Sequence, residues 1–408
     1  MLYLISCTGH YWIERITTWI PIYSVTPRPF KMRILVCFIF SLMLLVALPV
    51  VGVLWKGLPV AQYLEFPPIT RYVRHAGPSW PLFLVFLSFI MAILWPFLRR
   101  FVSVGPGPGA VCEKDFHDFP WWGKCAFVLC LVSWLLAWTR FSWFRPFQPY
   151  TFIPLWFSFI FFINGMSHWL TGSSLVERHG LRFVALFPLS TVFWWYFEYL
   201  NRFVQNWYYT GVEDFSPLRY VVTASVSFST VIPAVLSVNE LLKIFPRFDN
   251  AYKNFLPLRL KRPKLAASLA LLLAGCGLMA MGIMPDLLFP LVWIAPLIIV
   301  TATQAILGIE TVCREVHHGT WVGICRLSAS GLICGFFWEM WNFFSYAKWI
   351  YSIPFVSQFK IFEMPLLGYA GYLPFGLECA VAASFVIGFQ DIMESNASLT
   401  ARASLSKV

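Results

Sequence analysis

Two acidic residues stand at the ends of two long apolar segments, and each is followed three residues later by an asparagine. Glu198 precedes Asn201, and Glu339 precedes Asn342 at the end of the second segment. Residues three positions apart share one face of a helix. Ionisable groups within a membrane are costly unless they are paired or hydrated, and they mark functional sites. We therefore predict that these acids and amides belong to a site inside a membrane protein.

A third acid lies in the apolar segment that follows the second pair. Pro233 and Pro374 occur in the next apolar segment of each half, at the interval that also separates the two acids, and Glu378 lies one helical turn after Pro374. The aligned position in the first half is Ser237, so the two halves have diverged here and one of them could be purely structural. The candidate catalytic residues are Glu198, Glu339 and Glu378.

Aromatic residues cluster around the same positions and could line a cavity for a flat or polyene-like ligand. The candidate substrate-binding residues are Asn201, Asn342, Trp195, Trp338, Trp349, Tyr351 and Pro374. Simpler interpretations stay open for each type. The rings could form interfacial belts, the amides could join helices, and the acids could reach interfacial water.

The composition indicates a membrane protein. Of 408 residues, 59% are hydrophobic and 12% charged, and the mean hydropathy is +0.69, which is too apolar for a soluble domain of this size. The net charge of +11 is typical of loops that fix membrane topology, and no nucleic-acid-binding motif accompanies it. Since the cysteines lack metal-ligand spacing and no cofactor motif occurs, we expect neither a metal nor a cofactor.

Ten segments are long enough to cross a hydrocarbon core of ~30 Å. They lie near residues 34–55, 80–98, 122–139, 148–168, 182–201, 219–240, 265–284, 287–308, 321–342 and 366–389. Several contain proline, so kinked spans are expected. The predicted fold class is an all-α, polytopic helical membrane protein.

The constant interval between matching acids, asparagines and prolines predicts a tandem repeat of four-helix units, at 122–245 and 265–390. Because each unit has an even number of spans, the two units have the same orientation and form parallel repeats. The remaining parts are a cytoplasmic N-terminal segment (1–33, with Met32 as an alternative start), a two-span peripheral region (34–121), a basic linker (246–264) and a disordered tail (391–408).

The distribution of Lys and Arg predicts the orientation. With the N-terminus inside, the cytoplasmic segments hold nineteen basic residues and the opposite segments nine, and the segment from Lys243 to Lys264 alone contains seven. Both termini are therefore expected to be cytoplasmic, in a bacterial inner membrane. This orientation places Glu198 and Glu339 near the outer end of their spans.

The residues around the acids resemble the membrane-embedded lycopene cyclase and carotenoid hydratase families. The resemblance rests on an acid followed by a W-x-Y segment, at Trp207-Tyr208-Tyr209 and Trp349-Ile350-Tyr351, and on the proline and acid of Leu373-Pro374-Phe375-Gly376-Leu377-Glu378. The chain departs from the cyclase motif in having no paired acids directly after the proline. The resemblance implies repeated helical units and protonation of isoprenoid polyenes without net redox change.

Three functions fit these residues. Desolvation favours the protonated form of a carboxyl group, so Glu339 or Glu378 could act as a general acid on an isoprenoid or other lipid, with Asn342 orienting the acid. Parallel repeats with acids and prolines also describe proton-coupled carriers of ions or lipids. A structural subunit of a membrane complex is the third. The expected partners are a lipid or isoprenoid substrate, the bilayer, and a membrane-protein partner or a second copy of the chain, but no nucleic acid.

Overall fold

The computed structural model describes residues 28–68, 70–105 and 116–393 of the chain. Most of the predicted segment 1–33 and of the predicted tail 391–408 lies outside these residues. Within them the chain is largely helical, with two small two-stranded sheets. The all-α prediction is confirmed.

Sixteen α-helices are found in the described ranges. They are α1 (Arg28–Trp55), α2 (Ala61–Leu64), α3 (Trp80–Ser103), α4 (Trp121–Trp138), α5 (Phe152–Thr171), α6 (Leu175–His179), α7 (Leu181–Val204), α8 (Pro217–Phe228), α9 (Val231–Leu242), α10 (Pro246–Tyr252), α11 (Pro263–Met281), α12 (Pro285–Leu288), α13 (Ala295–Ile306), α14 (Val322–Phe343), α15 (Tyr372–Ala383) and α16 (Phe389–Met393). Short 3-10 helices occupy Ser142–Tyr150, Phe289–Trp293, Val316–His318 and Leu366–Gly371.

Four short strands complete the fold. They are β1 (Trp207–Thr210), β2 (Lys348–Tyr351), β3 (Lys360–Ile361) and β4 (Met364–Pro365). Strand β1 pairs antiparallel with β2, although seven α-helices lie between them in the sequence, and β3 pairs antiparallel with β4 in a local hairpin. The first sheet therefore joins two distant parts of the sequence.

Eight helical segments of the described chain are long and apolar enough to span a membrane. A ninth results if Pro285–Trp293 and Ala295–Ile306, which are bent by 53°, are counted as one span. The chain is thus a multi-pass membrane protein. The predicted span near 321–342 forms α14, which carries Arg326 and Glu339 and is not among these nine candidates.

Two of the prolines in the predicted spans lie just after an interruption of the α-helix. Pro233 and Pro374 do not kink the middle of a helix, because each occupies the first turn of its helix, α9 or α15. Proline is well tolerated there because the first-turn N–H groups have no partner within the helix. The α-helical pattern is interrupted just before these prolines, between α8 and α9 and in the 3-10 helix Leu366–Gly371.

Several pairs of elements begin at one common interval along the chain. The interval between the first residues of α7 and α14 equals that between α9 and α15, and also that between strands β1 and β2. Helices α9 and α15 also have the same length of 12 residues. A tandem repeat would account for this agreement, and the repeat stays a prediction.

Glycines bring the backbones of α14 and α15 into contact. A Cβ atom on Gly376 would collide with the carbonyl group of Leu327, and one on Gly331 would collide with the carbonyl oxygen of Tyr372. Both collisions involve backbone atoms, which cannot move aside as the end of a flexible side chain can. The helices that carry Glu339 and Glu378 are therefore held at a fixed, short separation.

We predict that Gly376→Ala lowers the melting temperature of the purified protein. Replacing an exposed helical glycine by alanine stabilises a helix by about 1 kcal/mol, but here the collision should reverse the sign and destabilise by about 1–3 kcal/mol. The matched control is Gly77→Ala, since a Cβ at Gly77 would meet no atom within 4 Å. Equal melting temperatures for the two variants would contradict the close packing of α14 and α15.

Candidate functional site

The sheet formed by β1 and β2 aligns the two W-x-Y segments with each other. Trp207 lies opposite Tyr351, and Tyr209 lies opposite Trp349, so the tryptophan of each segment faces the tyrosine of the other. Side chains alternate between the two faces of a strand. The tryptophan and tyrosine of each segment, two residues apart, therefore share a face, and this face meets the acids.

Glu198 is completely buried and receives three hydrogen bonds on one oxygen. Its Oε1 accepts from Trp194 Nε1 (3.1 Å), from Trp207 Nε1 (3.0 Å) and from the hydroxyl of Tyr209 (2.6 Å). Its Oε2 has no hydrogen-bond partner in the described part of the chain. Helix α7 thus supplies the acid and one donor, and β1 supplies the other two.

Glu339 is equally buried but has a different set of donors. Its Oε1 accepts from the hydroxyl groups of Tyr351 (2.7 Å) and Tyr372 (2.6 Å). Trp349 Nε1 donates to the Tyr351 hydroxyl oxygen (3.0 Å). Oε2 again lacks a partner within the described ranges. Both acids therefore keep one free oxygen, and each contacts at least one tyrosine hydroxyl.

The two asparagines hold the strands rather than the acids. Asn201 Nδ2 donates to the carbonyl of Trp207 (2.8 Å), and its Oδ1 accepts from the N–H of Asn206 (2.8 Å). Asn342 brackets Trp349 in the same way, by donating to its carbonyl (2.8 Å) and accepting from its N–H (2.9 Å). The sequence predicts that Asn342 orients the acid. It does so only through the strand that carries the donors.

The donors to both acids also line one aromatic cavity. The cavity has a volume of about 130 Å³, and its walls include Trp194, Trp207, Tyr209, Trp338, Tyr351 and Tyr372. The two acids lie behind this wall, so the tyrosine hydroxyls stand between the carboxyl groups and the cavity. Because a water molecule takes up ~30 Å³ of liquid volume, the cavity fits a few waters or one small segment of a larger ligand.

Burial raises the pKa of the Tyr209 hydroxyl well above its ordinary value, and the neighbouring Glu198 raises it further. Burial and Glu339 likewise raise the pKa of Tyr351. The negative form of a phenol is disfavoured both by low polarity and by a nearby acid. Both tyrosines therefore keep their protons and serve as neutral hydrogen-bond donors at the cavity wall.

One charged side chain reaches the cavity, and it is paired. Lys348 belongs to the cavity lining, and its Nζ lies 2.5 Å from Glu363 Oε1. Glu363 is in the turn between β3 and β4. The small hairpin thus neutralises the lysine at the edge of an otherwise aromatic cavity.

A segment at residues 70–79 forms hydrogen bonds with β1 and with the residue that follows β2. Thr70 Oγ1 accepts from the N–H of Tyr209 (3.3 Å), and Ser352 donates to the carbonyl of Val73 (2.6 Å). His75 lies within hydrogen-bond distance of both the Gln205 carbonyl (3.1 Å) and Asp286 Oδ1 (2.8 Å). The segment comes from the predicted peripheral region, which is thereby tied to the site.

The remaining predicted site residues lie outside the cavity wall. Trp195 donates to Ser225 Oγ (3.0 Å), and its neighbour Trp194 occupies the cavity wall instead. Pro374 lies in the first turn of α15. Glu378 is 4% exposed and is not part of the cavity lining. Two of the three predicted acids are thus brought to one cavity.

A second buried polar cluster lies away from the cavity. Arg326, which is only 1% exposed, donates to Asn239 Oδ1 (3.1 Å) and to the carbonyl of Met393 (2.7 Å). Lys243 donates to the carbonyl of Asp391 (2.7 Å) and pairs with Glu240 (3.1 Å). Because these donors bind backbone carbonyls of α16, the cluster anchors the end of the described chain.

Comparison of the chain with protein-family models, curated proteins and solved structures found no match. The site must therefore be interpreted from its own geometry.

We predict that Asn342→Ala destabilises the protein by about 1–3 kcal/mol, because it leaves the buried backbone groups of Trp349 without partners. The measurement is thermal unfolding followed by tryptophan fluorescence, since Trp349 lies in the strand that is released. Asn254→Ala, at an exposed position, is the control. If both variants unfold at the wild-type temperature, the asparagine does not hold the strand.

Proposed function

We propose that this protein is an integral membrane enzyme that performs acid–base chemistry, without net redox change, on an isoprenoid or other unsaturated lipid. One observation supports the proposal above all others. Two buried carboxyl groups each accept a hydrogen bond from a tyrosine hydroxyl, Tyr209 or Tyr351, that lines the same aromatic cavity.

The tyrosines give the acids a route to a bound ligand. As a tyrosine passes its hydroxyl proton to a carbon–carbon double bond, the glutamic acid behind it returns a proton to the phenol oxygen. The alkene becomes a carbocation. A neighbouring carbon then loses a proton to the oxygen of the second tyrosine, while that hydroxyl passes its own proton to the glutamate carboxylate behind it. The proton returns from this glutamic acid to the first glutamate before the next turnover. Protons are only moved between groups, so this reaction requires neither an oxidant nor a cofactor.

The two acids are suited to different steps. Glu198 accepts three hydrogen bonds and Glu339 accepts two. Hydrogen bonds to a carboxylate stabilise its negative charge. Glu198 is therefore assigned as the base that receives a proton, and Glu339, with Tyr351 and Tyr372 in front of it, as the acid.

The cavity wall suits a cationic intermediate. The faces of tryptophan, tyrosine and phenylalanine attract positive charge through their ring quadrupoles, by up to ~2 kcal/mol for a desolvated cation. A lipid segment that enters the cavity would also displace the water that could trap a carbocation. The reacting segment of the lipid would enter this cavity of about 130 Å³.

A proton-coupled carrier is the second candidate function. It is favoured by the broken span Pro285–Trp293 and Ala295–Ile306, which packs against the helix that carries the buried Glu378. Discontinuous helices beside ionisable groups are typical of transporters. A carrier would move protons or substrate across a vesicle membrane without changing the substrate chemically. An enzyme would change the substrate chemically without moving protons or substrate across the membrane.

We expect Glu339→Gln and Tyr351→Phe each to slow lipid conversion by about 10²–10⁴-fold, because each removes a group from the proton route. The measurement is mass spectrometry of lipid extracts from membranes that contain the wild type, the deletion or a variant. The same precursor should accumulate in the deletion strain and in both variants.

Tyr208→Phe is the matched control, because Tyr208 lies on the opposite face of β1 from Tyr209 and is half-buried. It should leave the lipid profile unchanged. A profile that is identical in the wild type and the deletion strain would contradict the enzyme proposal. Proton uptake by vesicles containing the protein would then support the carrier.

A further inference from the structure

Glu378 lacks the donors that the other two acids possess. It is 4% exposed, and neither of its oxygens has a hydrogen-bond partner in the described residues. The titratable groups near it are the Tyr196 hydroxyl and the Cys379 thiol, with the Cys334 thiol beside Cys379. An ionised carboxylate that is buried without a partner costs several kcal/mol or more, so such a group carries a proton for most of the time.

The aligned position in the first half shows that the fold does not require an acid here. Ser237 follows Pro233 as Glu378 follows Pro374, and it lies in the equivalent turn of α9. Its hydroxyl oxygen accepts from Asn164 Nδ2 (2.8 Å), and the hydroxyl donates to the carbonyl of Pro233 (2.7 Å). A small, fully bonded side chain satisfies the packing at this position. The unpartnered carboxyl of Glu378 therefore calls for a functional explanation.

Phe375 and the tryptophans that line the cavity lie between Glu378 and the cavity. Phe375 lies one helical turn earlier on the same face of α15 and is completely buried. Its ring centroid lies 5.7 Å from that of Trp194, 5.9 Å from that of Trp293 and 6.0 Å from that of Trp338. All three tryptophans line the cavity. Because three helical residues rise only ~4.5 Å, Glu378 is one helical turn from the ring that packs behind this tryptophan wall.

The broken span provides a place for the ionised form of the acid. Its first part ends at Trp293, in the cavity wall, and its second part begins at Ala295. The N–H of Leu297, in the first turn of α13, faces the Glu378 carboxyl without completing a hydrogen bond. Free N–H groups at a helix start stabilise negative charge. They would support a carboxylate for the short time after its proton leaves.

We propose that Glu378 is a proton-binding site that exchanges its proton with the aromatic cavity past the ring of Phe375. Only the carboxyl O–H bond is broken and re-formed, and the proton moves to and from water in the cavity. The site is separate from the hydrogen-bond networks of Glu198 and Glu339. The proposal stands whether the cavity serves an enzyme or a carrier.

The test is infrared spectroscopy of the purified full-length protein. The difference between the wild type and Glu378→Gln should contain the C=O stretch of one protonated carboxyl group, and transfer into D₂O should shift this band. Phe375→Leu should make the shift about tenfold faster, which corresponds to a barrier ~1.4 kcal/mol lower. Trp293→Phe, which thins the same wall, is a second variant that should act in the same direction.

Ser237→Ala is the matched control, and it should change neither the band nor its rate of exchange. Glu378→Ser, which introduces the residue found in the first half, should remove the same band as Glu378→Gln. If neither substitution at Glu378 removes a carboxyl band, the residue is not a proton-binding site. If the carboxyl proton exchanges at the wild-type rate in both Phe375→Leu and Trp293→Phe, it does not pass these two rings, and the proposal is overturned.

Discussion

The structure depends on placing carboxyl groups in an apolar interior without any cation to pair with them. Glu198 and Glu339 are completely buried, and in the described residues no lysine, arginine or histidine pairs with either. Their only compensation is neutral N–H and O–H donors, which must be held within about 3 Å. The helix that carries each acid supplies at most one of these donors. The others come from the strand that follows, or from α15.

This need explains why a helical membrane protein contains a sheet. A helix that ended after Glu198 would leave its donors in a free loop, but Asn201 fixes the start of β1, and Asn342 fixes β2 in the same way. Pairing of the two strands then positions the donors to both acids together, because the tryptophan of one strand lies opposite the tyrosine of the other. The segment at 70–79 covers the outer side of this sheet. The cavity is thereby formed by elements that are far apart in sequence.

The sequence allowed the acids, most of the spans and several aromatic wall residues to be predicted, because each leaves a local pattern. The sheet leaves no such local pattern and could not be predicted, since a few Trp and Tyr residues at a helix end are equally typical of an interfacial belt. The sequence predicts Trp195 as a binding residue, but its neighbour Trp194 lines the cavity. Adjacent helical residues point about 100° apart, and a run of aromatic residues with weak periodicity does not show which of them faces the cavity. Tyr372 was missed as a donor to Glu339 because its contact depends on the packing of α14 against α15.

The cavity has two similar arms, one at each acid, and the arms differ in their chemistry. Near the first acid, Trp207 donates directly to Glu198; near the second, the corresponding Trp349 donates to Tyr351, which donates to Glu339. In both arms the donors to the acid converge on one carboxyl oxygen, but Glu198 accepts from two indoles and one hydroxyl, and Glu339 accepts from two hydroxyls. A tyrosine hydroxyl can relay a proton, whereas the indole N–H can only stabilise charge, since it does not release its proton at ordinary pH. A similar difference separates Ser237, which is fully bonded, from Glu378, which is not. The second half of the chain therefore contributes more of the groups able to carry a proton, and the first half contributes more of the N–H donors that stabilise a carboxylate.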